Sequence, residues 1–142
     1  MSKESTLAQI GAVEATVPRD RIVHAIQAFL ASYPARGEAD IQARAELFAD
    51  DAVFEDPVGA KPLVGKQALV DFFRAAFAAG WVIRMKSDRI VVCGNEAVSL
   101  TQGEWGLPGT EPAKVFIVHT FAFNAEGKAT RLRVFFDQNT IE

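Results

Sequence analysis

The strongest constraint in this chain is a change of hydrophobic period near its middle. Beyond residue 80, apolar and polar residues alternate along WVIRMKSDRIVVCG, EAVSLTQGEWGL, AKVFIVHTFAFN and KATRLRVFFDQNT. A two-residue repeat is that of a strand with one buried face. Turn residues Gly94-Asn95 and Asn124 to Gly127 separate these runs. Before residue 80 the spacing is helical. After Pro18, which suits a first helical turn, Ile22, Ile26, Phe29, Leu30 and Tyr33 form one stripe that Pro34 and Gly37 end. A second helix is predicted from Glu38 to Ala49, its acidic start (Glu38, Asp40) complementing the helix dipole. A short strand from Ala52 to Asp56 then stops at Pro57. A third helix follows Gly65, with Leu69, Phe72, Phe73, Ala76 and Phe77 on one side and Gly80 at its C-terminal cap. Helices first and long antiparallel strands afterwards define an α+β class, with three N-terminal helices packed on the sheet.

A length of 142 residues with 49% hydrophobic content is one domain's worth and enough for a real core. Residues 1–142 therefore read as a single domain, with residues 1–16 a loose N-terminal extension or an extra helical turn. A net charge of -3 with scattered basic residues argues against nucleic acid or a membrane surface as partner. No run of about 18 apolar residues and no signal-peptide pattern is present, so a cytoplasmic location is expected. One cysteine, Cys93, excludes an internal disulfide and a Cys-based zinc site, and two histidines leave little for a metal. No phosphate loop or nucleotide fingerprint occurs, so neither cofactor nor metal is expected.

The chemistry concentrates in LFADDAVFEDPVG, residues 47–59. Strand parity puts Ala52, Phe54 and Asp56 on one face and Val53 and Glu55 on the other. Glu55 is the inward acid instead if the register bends at Pro57. Asp50 and Asp51 read as solvated turn acids. In the third long strand, Val115, Ile117, His119, Phe121 and Phe123 share a face, which embeds an imidazole in an apolar stripe. Such a histidine is commonly a core residue bonded to a carbonyl or water. His24, among polar neighbours on the first helix, is expected to be exposed. The chain holds eleven Phe against one Tyr. A dry, phenylalanine-lined interior raises an Asp pKa and lowers a His pKa, moving both toward useful acid-base chemistry. Trp105 shares parity with Ser99, Thr101 and Gly103, small residues that would leave room beneath a ligand.

Helix, helix, LFADDAVFEDPVG, a helix after GKQALVDFF, and then four long strands including HTFAFNAEGK resemble the ketosteroid isomerase branch of the NTF2-like (SnoaL-like) superfamily. The resemblance implies a conical barrel in which a curved antiparallel sheet wraps a deep pocket, commonly in a homodimer. It implies Asp56 as a base that moves a proton between two carbons of an apolar ketone or enone, such as a steroid or polyketide-like ring. The family's enolate-binding tyrosine falls on Phe29, its neutral aspartic acid on His119, and a further pocket tyrosine on Phe73. His119 can donate through one N–H, whereas Phe29 cannot donate. One lost donor costs on the order of 3 kcal/mol of transition-state stabilisation. Phe29, Phe54, Phe73, Trp105, Phe121 and Phe136 are the expected substrate-binding walls. Two alternatives keep the same pocket. One is a dehydratase, cyclase or hydrolase that uses an Asp56–His119 pair. The other is a non-catalytic binding or dimerisation module.

Overall fold

The computed structural model describes residues 2–11 and 13–142. In chain order the elements are α1 (Lys3–Ile10), α2 (Arg19–Ala31), α3 (Glu38–Ala45), β1 (Phe48–Glu55), β2 (Leu63–Val64), α4 (Lys66–Ala78), β3 (Val82–Cys93), β4 (Glu96–Gly106), β5 (Ala113–Phe123) and β6 (Ala129–Phe135). The strands form one six-stranded sheet in the order β2-β1-β6-β5-β4-β3. Every neighbouring pair is antiparallel except β1 and β6, which run parallel. Hairpin signals report only strands adjacent in sequence, so this one parallel pair was invisible to them.

The α+β architecture matches the expectation, with two corrections at element ends. The second helix stops at Ala45, not Ala49, and the first strand begins at Phe48, not Ala52. Long-range pairing decides this boundary. Phe48 is in register with Ala129 of β6, and the Ala129 amide donates to the Leu47 carbonyl at 2.9 Å. Asp50 and Asp51 therefore lie within β1 rather than in a turn, although both are exposed. At the N-terminus the extension is the helix α1, capped by Ser2, and it has no buried residue.

The core lies between the inward sheet face and α2 and α4. Ile22, Ile26, Phe29 and Leu30 come from α2, and Leu69, Val70 and Phe73 from α4. Across from them stand Val115, Ile117, His119, Phe121 and Phe123, all buried on one face of β5, as strand parity requires. On α4 the apolar stripe is rotated from the predicted one. Phe72 and Phe77 are 36% and 42% exposed, because Leu69, Val70 and Phe73 already fill the face against the sheet. Gly103 does not leave room for a ligand. A Cβ there would come within 2.9 Å of Ile117 Cδ1, so the missing side chain is what lets Ile117 pack against β4. No helix among the described residues is long and apolar enough to cross a membrane.

Candidate active site

Asp56 follows the last residue of β1 and stands at the neck between two spaces. An outer cleft of about 560 Å³ is bordered by Asp56, Phe72, Trp81, Ile83, Trp105 and Phe136, together with the small residues Ala75, Ala76 and Ala79 of α4. An inner chamber of about 80 Å³ is bordered by Asp56, His119, Tyr33, Phe29, Phe54 and Trp105, among others. The outer cleft has the size of a small-molecule site. The inner chamber holds only a few atoms. Trp105 belongs to both, with its ring 5.0 Å from that of Phe136 in an edge contact. The 107–112 loop touches this rim: Pro108 lies against Gly80, next to Trp81.

Asp56 is desolvated by its apolar surroundings, which push its carboxyl up from the ordinary 3.8 to about 6. Asp56 is half-buried; Glu55 is buried, but on the opposite face. There Arg131 Nη2 lies 2.9 Å and Arg133 Nε 3.4 Å from its Oε1, and its pKa is lowered, chiefly by the Arg131 hydrogen bond. Of the two carboxylates, only Asp56 borders the chamber.

His119 is 2% exposed. Its ring is flanked by Phe29 and Phe121, each with a centroid 6.0 Å away. Burial lowers its pKa from 6.5 to about 4, so the imidazole is neutral at physiological pH. Its Nδ1 lies 3.0 Å from Thr101 Oγ1, Thr101 Oγ1 lies 3.0 Å from Ser99 Oγ, and Ser99 Oγ lies 3.1 Å from Ser87 Oγ. If Ser87 donates to Ser99, Ser99 to Thr101 and Thr101 to Nδ1, every hydroxyl hydrogen in the row has an acceptor. That arrangement leaves the ring proton on Nε2. Ser99 and Thr101, read from sequence as small space-makers, are instead a buried polar row behind the imidazole.

Tyr33, the chain's one tyrosine, borders the same chamber. It lies four residues beyond Phe29, just past the end of α2 at Ala31 and its cap at Ser32, so the apolar stripe predicted to run to Tyr33 outlasts the helix; the two rings meet edge-on at 5.5 Å. Burial pushes its phenol up to about 12, opposed by the nearby Arg44 charge and reinforced by Asp56. The family resemblance implies Phe29 at the position of a tyrosine donor, which leaves no hydroxyl there. The structure brings one in from four residues on.

Of the six predicted aromatic walls, Phe29 and Phe54 line the chamber, Phe136 the cleft, and Trp105 both. Phe73 and Phe121 line neither of these two spaces. Phe73 packs against Phe48 and Phe54 at 6.3 and 5.9 Å, and Phe121 stacks on Phe123 at 5.9 Å. They sit behind the wall because neighbouring aromatics fill the space between them and the cavity. Phe72, Trp81 and Ile83 take their place at the cleft. His24 is exposed, as expected.

The α+β fold with its curved sheet thus sets a desolvated acid at the neck of an apolar pocket. The chain belongs to the SnoaL-like family: the family model of the SnoaL-like domain matches residues 16–132. Several solved structures share this NTF2-like fold. A computationally designed 17-OHP binder aligns with a TM-score of 0.75 at 22% identity, over 86% of this chain and 97% of that one. A Mycobacterium tuberculosis protein in complex with estradiol-17beta-hemisuccinate aligns at 0.73 and 22% identity, over 86% and 98%. The epoxide hydrolase/cyclase-like enzyme SalBIII, from pyran ring formation in the polyether salinomycin, aligns at 0.71 and 21%, over 87% and 92%.

Proposed function

We propose that this protein is a proton-transfer enzyme acting on an apolar ketone or enone, in the manner of a steroid delta-isomerase. Asp56 takes a proton from a carbon activated by the carbonyl, and the enolate oxygen is held by Nε2–H of neutral His119 and by the hydroxyl of Tyr33. The proton then returns from Asp56 to a different carbon of the conjugated system, which shifts the double bond with no net change in atoms. The observation that carries this reading is the shared border of the two spaces. Asp56 faces both, so a ring system can lie in the outer cleft while its oxygen alone enters the chamber between His119 and Tyr33. A carboxyl at about 6 is deprotonated at neutral pH yet basic enough to work. A neutral imidazole suits a donor and not an imidazolium acid, which weighs against dehydration through charged His119.

A second reading is favoured by the chamber's size. About 80 Å³ can hold one or two waters beside Asp56, as base-assisted opening of an epoxide requires. Deuterium exchange at the α-carbons of an apolar cyclic ketone, followed by NMR, tests the first. Exchange by the wild type that Asp56→Asn loses supports it. Absence of exchange with formation of a diol from an apolar epoxide overturns it in favour of the second. Ligand binding unaffected by Asp56→Asn, with neither reaction, favours a binding module.

We infer further that the chain pairs as a homodimer through the outward sheet face. That face exposes Phe116 and Phe135 at 37% and 38%, beside Val118 on the same side of β5. A molecular mass near that of the monomer by light scattering would contradict this.

A further inference from the structure

Arg44 is 2% exposed, and among the described residues its guanidinium makes no hydrogen bond to a carboxylate. Nε and Nη2 donate to the Ser32 hydroxyl and carbonyl, both at 2.8 Å. The acid nearest it along α3, Asp40, is engaged by Arg36 at 2.9 Å. What faces the cation instead is aromatic: Cζ lies 3.5 Å from the ring centre of Tyr33 and 4.7 Å from that of Phe73. An interior cation without a bonded anion is costly, and arginine is rarely buried unless paired. Two ring faces and Ser32 offset part of that cost.

The stack is directional in its consequence. Tyr33 presents one face to Arg44, and its ring also borders the chamber that holds Asp56 and His119. A positive charge against a phenol ring withdraws electron density from its oxygen and favours any negative charge that develops there. We propose that Arg44 is a positioning residue that acts through Tyr33, making the phenol hydroxyl a stronger hydrogen-bond donor to an anionic oxygen, an enolate or phenolate, in the chamber. The proposal rests on the reading of the chamber as an oxygen seat. It adds that the seat prefers a charged oxygen over a neutral carbonyl, and that residue 44 supplies the preference. The groups acting on Tyr33 are Arg44, which favours ionisation, and Asp56 and burial, which oppose it; neutral His119 adds no charge.

The chain's single tyrosine makes the test direct, since tyrosinate absorbance reports Tyr33 alone. Biosynthetic replacement by a fluorinated tyrosine, whose phenol ionises at lower pH, keeps the titration where the protein is folded. Circular dichroism on the same samples checks the fold. In Arg44→Met the half-ionisation pH rises, and the tyrosinate fraction at a fixed pH below it drops about tenfold. Arg44→Lys, which keeps the charge, stays within about threefold of wild type and serves as the second variant should the Met protein not fold. Were Arg44 only packing, either substitution would loosen the site and move Tyr33 down toward an ordinary tyrosine. A downward shift or no shift in a folded variant therefore overturns the proposal. The second arm uses 4-nitrophenol, whose colour reports its ionisation. Arg44→Met is expected to weaken binding of the phenolate about tenfold while changing that of the neutral phenol less than threefold. Equal weakening of both forms overturns the charge preference. Failure of either form to bind wild type overturns the oxygen seat itself, and the tyrosine titration still decides whether Arg44 controls Tyr33.

Discussion

Glu55 and Asp56 are adjacent carboxylates with opposite fates. Glu55 faces the outward side of the sheet, where Arg131 and Arg133 of β6 meet it, and its pKa falls below the ordinary 4.5. Asp56 turns into the apolar neck of the pocket, finds no cation, and rises to about 6. One step along the backbone reverses the side chain's direction and with it the sign of the pKa shift. The two residues show two uses of an acid held away from water. A paired carboxylate holds structure together. An unpaired one is a strain that the fold tolerates, and such a group is a functional-site candidate because nothing structural accounts for it.

The largest expected difference between the two acids is in reaction rate. Asp56→Asn is expected to lower α-proton exchange on an apolar ketone by about 10²–10⁴-fold. Glu55→Gln is expected to leave the exchange rate per folded molecule within a few-fold of wild type. Equal losses in both variants would remove the functional distinction between the two acids.

Stability sharpens the contrast, because the two substitutions should act with opposite signs. The folded pKa of Asp56 is raised, so its contribution is full below 3.8 and is lost as pH rises through about 6. At pH 8 the ionised side chain is a burden, and Asp56→Asn should stabilise the protein by about 1–2 kcal/mol in urea unfolding. The folded pKa of Glu55 is lowered, so its contribution is present above 4.5 and is lost on acidification. Glu55→Gln should therefore destabilise at pH 8, leaving Arg131 and Arg133 without their shared anion. Destabilisation by Asp56→Asn at that pH would contradict the desolvated acid.

The smallest effect lies in the slope of stability against pH. The folded pKa of His119 is lowered from 6.5 to about 4, so its contribution is present above 6.5 and is lost as pH falls through about 4. Over much of that window the protonation of Asp56 works in the other direction. Relative to wild type, His119→Gln should flatten the loss of stability between pH 6.5 and 4, and Asp56→Asn should steepen it between 6 and 3.8. Parallel curves would mean that neither group is held out of water.

Much of this site could be read before any coordinates. Alternation along a strand put Asp56 with Phe54, and it put His119 among Val115, Ile117 and Phe121. Both placements depend only on local geometry, which a two-residue repeat specifies. The residues that escaped were those whose role comes from packing between distant elements. Tyr33 looked like the last residue of a core stripe, because periodicity reports which side of a helix is apolar and not which ring ends at a cavity. Arg44 carries no signal of its own in the sequence, because its burial depends on the rings of Tyr33 and Phe73, the latter from α4. Phe73 and Phe121 looked like pocket walls, because composition cannot say which of eleven phenylalanines stand in front of the others.

What the sequence by itself determined is the division into helices and long strands, the face on which each residue points, and the acid before Pro57. These follow from hard-sphere backbone geometry and hydrophobic period, which act over a few residues. What only the tertiary structure decided is which carboxylate is met by a cation and which is left dry. Arg131 lies 76 residues from Glu55 along the chain, and the parallel pairing of β1 with β6 brings them together. Electrostatic environment depends on distances through space, and folding, not sequence order, sets those distances.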